Sequence, residues 1–181
     1  MLQMFEAVSN LLTGTIPNCL GTHLFSLALR ENQIQATQDA DWGFMASLAN
    51  CSNLQILDLS YNRFAGEIPS SVGNLSTNLE IFIMQSNNLT GRIPEEITNL
   101  VNLNMLCLSQ NYLEGVIPNS VGKLKGLSLL ELGENYLSGS IPPTIGNLTK
   151  LSKISLGVNM LNGSIPSSLM GCPLQTLDYK H

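Results

Sequence analysis

Apolar residues recur along the chain in one short pattern. Leu54, Leu57 and Leu59 precede Asn62, and Leu103, Leu106 and Leu108 precede Asn111, with polar or mixed residues between them. The last two apolar positions of each set are two residues apart. That spacing places both on one face of a short strand and turns the residue between them to the opposite face. The string N-x-[L/F]-x-G-x-I-P then begins at the Asn, and it occurs at Asn10, Asn62, Asn87, Asn111, Asn135 and Asn159. A degenerate copy surrounds Asn32 behind Leu24, Leu27 and Leu29, and a further unit opens with Leu174, Leu177 and Tyr179. Successive Asn residues lie 22, 30, 25, 24, 24 and 24 positions apart, so the unit is 24 residues long and the 181 residues hold about seven and a half units. A fixed period of this length is the mark of a repeat architecture.

Each residue type has a task in a coil that closes on itself. Stacking the units turns their strands into a parallel sheet buried on its leucine side. Asn10, Asn32, Asn62, Asn87, Asn111, Asn135 and Asn159 follow the strands, where a side-chain amide can pair backbone groups that the bend leaves free, and together they predict an Asn ladder. Gly tolerates a tight turn, and Pro after Ile disfavours helix in the residue before it. Eight strands at a spacing of about 4.8 Å predict a stack about 34 Å long.

The pattern L-x-x-L-x-L-x-x-N-x-L-x-G-x-I-P resembles the plant-type leucine-rich repeat over essentially the whole chain. The resemblance implies an α/β solenoid, a right-handed superhelix with a parallel concave sheet and a mostly 3-10 or irregular convex side, forming one domain over 1–181. Neither end shows a recognisable cap, so a fragment or a truncated gene product is expected.

The 30-residue interval marks an enlarged segment at 35–50, which holds the only Trp of the chain. Two readings are open: a larger convex segment whose Trp42 and Phe44 pack on the solenoid edge, or a projecting partner-binding loop. Its text, Asp41-Trp42-x-Phe44-x-x-Ser47-Leu48-x-Asn50-Cys51-Ser52-x-Leu54-Gln55, is similar to a segment of plant receptor-kinase ectodomains, in the class that includes the rice bacterial-blight resistance receptor. That resemblance implies a module that binds a peptide or protein elicitor outside the plasma membrane, with a co-receptor as a further partner. Two alternatives stand beside it: an enzyme inhibitor resembling plant polygalacturonase inhibitors, and a truncated product without function.

Composition narrows the classes further. Charged residues are 12% and the formal net charge is −5, which provides no basic footprint for nucleic acid. No apolar run approaches the roughly 18 residues of a membrane span, and MLQMFEAVSN does not read as a signal peptide. Membrane insertion by this chain and a targeting signal within it are therefore not expected. Cys19, Cys51, Cys107 and Cys172 lack metal-ligand spacing and read as small buried hydrophobes, with Cys107 turned outward by strand alternation. Asn50, Asn74, Asn88, Asn147 and Asn162 head N-x-[S/T] triplets and are the candidate glycosylation positions. A glycan at Asn88 is expected to crowd the concave edge, whereas Asn74 and Asn147 fall on the convex side.

Catalysis has no foothold in the motifs: there are two His residues, His23 and His181, and no G-x-S-x-G, H-E-x-x-H or phosphate-cradling Gly loop. The chain does not read as an enzyme, and no cofactor or metal is expected. Lys123, Lys125, Lys150 and Lys153 read as a basic patch on the convex face. The outward positions between paired apolar residues, and those just before each Asn, are the candidate contact surface. Asp58, Tyr61, Glu131, Glu134 and Tyr136 are its predicted ligand-binding residues, because acids and Tyr provide polar anchors and contact area at low entropic cost.

Overall fold

The computed structural model describes residues 2–178; Tyr179 and His181 lie outside the described residues. Eight three-residue strands form one parallel sheet in chain order: Met4–Glu6, Ser26–Ala28, Ile56–Asp58, Ile81–Ile83, Met105–Cys107, Leu129–Glu131, Lys153–Ser155 and Thr176–Asp178. Every pair is in phase with the repeat, so Leu27, Leu57, Phe82, Leu106, Leu130 and Ile154 stand side by side and are buried. At the first and last strands the same column is Phe5 and Leu177, both partly open to solvent. Each coil covers the core of its neighbour, and an end coil is covered on one side only.

The segment after each Asn is more regular than its turn-like composition suggests. It forms short strands that pair in parallel as a second sheet, one run comprising Thr13–Gly14, Gln33–Ala36, Arg63–Glu67 and Asn88–Thr90 and the other Glu114–Val116, Tyr136–Ser140 and Met160–Asn162. A bridge from Arg92 to Glu114 joins the two runs. Burial of Leu89, Leu113 and Leu137 anchors these strands, and the Gly that follows lies at positive φ, between 70° and 85° in six of the repeats.

The Asn residues stitch the two sheets together. Asn111 donates from Nδ2 to the carbonyls of Leu108 (3.1 Å) and Ser109 (3.2 Å) in its own coil and of Met84 (3.0 Å) in the coil before, while its Oδ1 accepts the Leu89 N–H at 3.1 Å. Asn32, Asn62, Asn87, Asn135 and Asn159 repeat this arrangement. Asn10 differs: with no described coil before it, it is exposed and donates only to the Val8 carbonyl at 3.0 Å.

Five 3-10 turns line the convex side, each starting directly after the Pro of I-P, from Ser70–Asn74 to Ser167–Gly171. They stack closely because a Gly faces the next turn: a Cβ on Gly73 would come within 2.6 Å of the Glu96 carbonyl oxygen. The enlarged segment packs here and does not project. A 3-10 turn, Asp39–Trp42, runs into a one-and-a-half-turn helix, Gly43–Leu48, and the Trp42 and Phe44 rings meet Phe64 of the next repeat at 5.7 and 6.1 Å between centroids. Asp41 closes the start of the turn, accepting the Thr37 N–H at 2.9 Å, and this bond holds its carboxyl below the usual range.

Candidate functional site

Strand alternation turns two columns of side chains out of the concave sheet. The first reads Ile56, Ile81, Met105, Leu129 and Lys153 across neighbouring strands, and the second Asp58, Ile83, Cys107, Glu131 and Ser155. The middle of the face is therefore apolar. Ile56, Ile81, Ile83, Met105 and Leu129 are half-buried by lateral contact and leave their outer surfaces open to the concavity. Parallel sheets ordinarily have both faces covered, so an apolar strip with charged ends on an open face is a surface suited to an apolar ligand segment.

The predicted contact residues do not form one cluster. Asp58 and Tyr61 lie at one end of the apolar strip, and Glu131, Glu134 and Tyr136 lie three strands further along. Asp58 is turned toward its own strand end, where it accepts the Ser60 N–H at 3.0 Å. Tyr61 accepts from Gln85 Nε2 at 3.1 Å and lies 5.2 Å from the Arg30 guanidinium. Glu131 binds the Lys153 ammonium at 2.7 Å, and this hydrogen bond raises the Lys153 pKa above its ordinary value. Glu134 accepts from Gln110 Nε2 at 3.1 Å, and Tyr136 stacks on Tyr112 with ring centroids 6.1 Å apart.

The apolar column Ile56 to Leu129 lay outside the predicted set, although its signal was available. These residues stand two positions before Asp58 and its counterparts, and the same alternation that turns Asp58 outward turns them outward too.

The residue before each Asn adopts a left-handed backbone without being Gly. Ser9, Glu31, Tyr61, Ser86, Gln110, Glu134 and Val158 all have φ between 53° and 57°. This kink carries the chain from the concave sheet into the second sheet and lifts the side chains onto the rim. There an open cleft of about 410 Å³ lies over Asn111 and Asn135, walled by Gln110, Tyr112, Glu134, Tyr136 and Val158.

Two sequence expectations need correction, for Cys19 and Lys153. Cys107 stands in the outward column and is buried, as expected, because Ile83 and Glu131 flank it on the adjoining strands. Desolvation, with Glu131 beside it, pushes its thiol up to about 12. Cys19 is exposed, so only Cys51, Cys107 and Cys172 are buried thiols. Lys153 stands on the concave sheet and not in a convex basic patch, whereas Lys125 donates to the Asn147 carbonyl at 3.2 Å on the other side. All five sequon Asn residues are exposed: Asn50 follows the convex helix, Asn74 and Asn147 end 3-10 turns, and Asn88 and Asn162 lie on second-sheet strands. None is on the concave sheet. Among the described residues there is no cluster of metal-ligating side chains and no helix long and apolar enough to cross a membrane.

A family model described as Leucine Rich Repeat matches residues 53–75, 78–100, 102–124 and 126–148. The receptor kinase-like protein Xa21 of Oryza sativa subsp. japonica is 43% identical over 84 residues, which is 46% of this chain and 8% of that protein. The chain thus spans under a tenth of the curated relatives it matches. Among solved structures, the Arabidopsis receptor kinase HAESA in complex with the peptide hormone IDA and the co-receptor SERK1 superimposes with a TM-score of 0.87 at 36% identity, covering 97% of this chain and 29% of that one. The plant peptide hormone receptor RGFR1 in complex with RGF2 gives 0.84 at 35% identity, covering 99% of this chain and 32% of that one.

Proposed function

Because this chain belongs to the Leucine Rich Repeat family, we propose that its concave sheet is the ligand-binding surface of a plant cell-surface receptor ectodomain, taking a peptide or protein in extended form. The observation that carries the proposal is the apolar strip Ile56, Ile81, Ile83, Met105 and Leu129, open to the concavity and bounded by Asp58 at one end and by Glu131 and Lys153 at the other. Half-buried apolar side chains on a rigid sheet bind with little ordering cost, and the charged ends set register and orientation. The matched peptide-hormone receptors support the same reading. Asp58, Tyr61, Glu131, Glu134 and Tyr136 act in this reading as polar borders of an apolar floor. The chain contributes binding and no chemistry of its own, on the extracellular side of the plasma membrane in the parent protein and with a co-receptor as second partner.

The test is a library of linear peptides selected against the purified chain, with binders measured on two variants. Ile83→Arg together with Met105→Arg places two charges on the floor and is expected to weaken binding at least about tenfold, as expected when a central contact is lost. Glu95→Arg, on an exposed convex turn, is expected to leave binding unchanged. Binders indifferent to both the floor variant and simultaneous alanine replacement of the five border residues would refute the assignment.

A further inference from the structure

The rim cleft has an acidic and aromatic lining that includes no basic side chain. Glu134 is its one charged wall residue, and among the described residues Glu134 joins neither of the two ion pairs, Arg30 with Glu31 and Lys153 with Glu131. Among the described residues its carboxylate accepts one hydrogen bond, from the neutral amide of Gln110, at 3.1 Å. The Tyr112 and Tyr136 rings lie 17° from parallel and are about half exposed, so their electron-rich faces border the same space.

Elsewhere the chain displays this chemistry in its filled form. Arg30 sets its guanidinium 5.2 Å from the Tyr61 ring centroid and binds the Glu31 carboxylate at 2.9 Å. Glu31 and Glu134 occupy the same kinked position before an Asn, with φ of 56° and 54°. Arg30 stands two residues before Asn32, and the corresponding residues before Asn135 and Asn159 are Gly133 and Gly157. A carboxylate and an aromatic ring are therefore present at both places, Tyr61 at one and Tyr112 with Tyr136 at the other, but at the rim cleft Gly133 and Gly157 carry no side chain where Arg30 supplies its cation.

We infer that the cleft walled by Tyr112, Glu134 and Tyr136 is a subsite for one basic side chain, arginine or lysine, of the extended peptide on the concave sheet. The inference rests on the reading of that sheet as a peptide-binding face. A cation there meets the exposed Glu134 carboxylate and the tyrosine faces together, and the two modest attractions add at one point of the rim.

The experiment uses the full chain and the peptides selected on it. Each basic residue of a binder is replaced in turn, arginine by citrulline and lysine by glutamine, and every peptide is measured on the wild-type chain and on Glu134→Gln. One basic residue is expected to matter by about fivefold or more on the wild type and to lose most of that effect, falling within about twofold, on Glu134→Gln. Tyr136→Leu is expected to reduce the same coupling, and a melt of each variant checks that the coil is intact. Peptides that bind the floor but show equal losses on wild type and Glu134→Gln overturn the subsite and leave the binding face standing. Binders indifferent to both Ile83→Arg with Met105→Arg and alanine replacement of the five border residues overturn the face, and the subsite with it.

Discussion

Replacing Asn111 with alanine is expected to destabilise the chain far more than the same change at Asn10. Asn111 is buried and makes four bonds, three from Nδ2 and one to Oδ1. Two of its carbonyl partners keep another amide donor after the deletion, Met84 from Asn87 and Leu108 from Asn135. The Leu89 N–H, by contrast, loses the Oδ1 acceptor it faces in the core. The cost therefore concentrates on one buried donor, about 1–3 kcal/mol. For a chain of this size that corresponds to a fall in melting temperature of about 2–4 °C per kcal/mol. Asn10 is exposed and makes one bond to its own coil, so its loss is expected to cost under about 0.5 kcal/mol, the ordinary effect of a surface change. Thermal melts of both variants followed by far-ultraviolet circular dichroism measure the difference. Equal shifts for the two, or a shift below about 1 °C for Asn111→Ala, would refute the view that the ladder stabilises through satisfied core amides.

Three further outcomes follow from the geometry. Val158 is a β-branched residue held at φ 55° and largely exposed, so Val158→Asn is expected to raise the melting temperature, relieving about 1 kcal/mol, whereas Val116→Asn in a regular strand is not. A melt in which Val158→Asn is no more stable than wild type counts against that strain. Gly73→Ala is expected to cost about 1–3 kcal/mol because its Cβ meets the Glu96 carbonyl at 2.6 Å, and Gly171→Ala, with nothing within 4 Å, is expected to be nearly neutral; urea titrations of the pair discriminate. At pH 8 Cys19 is expected to take up an alkylating reagent while Cys51, Cys107 and Cys172 react only after unfolding, Cys107 doubly protected by burial and by a thiol pKa raised to about 12. Intact-mass spectra showing fast modification of a second thiol would contradict this.

The core columns, the inward Asn residues and the one-residue alternation of the concave strands were legible in the chain, and so was the break at 35–50. Those features are set by bond geometry and by the need to bury Leu, and each depends on residues within one repeat. The second sheet was not legible, because N-x-L-x-G-x-I-P has turn composition and its strands exist through pairing with equivalents in adjacent coils. Nor was the kink before each Asn: Ser, Glu, Tyr, Gln and Val share no property that marks a left-handed backbone, and closure of the coil imposes it on all of them.

The candidate site divides along the same line. Alternation alone places Asp58, Glu131 and Cys107 on the outer face. That Cys107 is nonetheless buried, that Lys153 is bound to Glu131, and that Tyr112 lies against Tyr136 all depend on side chains 22 to 24 residues apart brought to one strand spacing. Within a repeat, the chain dictates which way a residue faces. Across repeats, stacking dictates what stands beside it, and burial, pairing and the open cleft at Glu134 arise from those lateral neighbours.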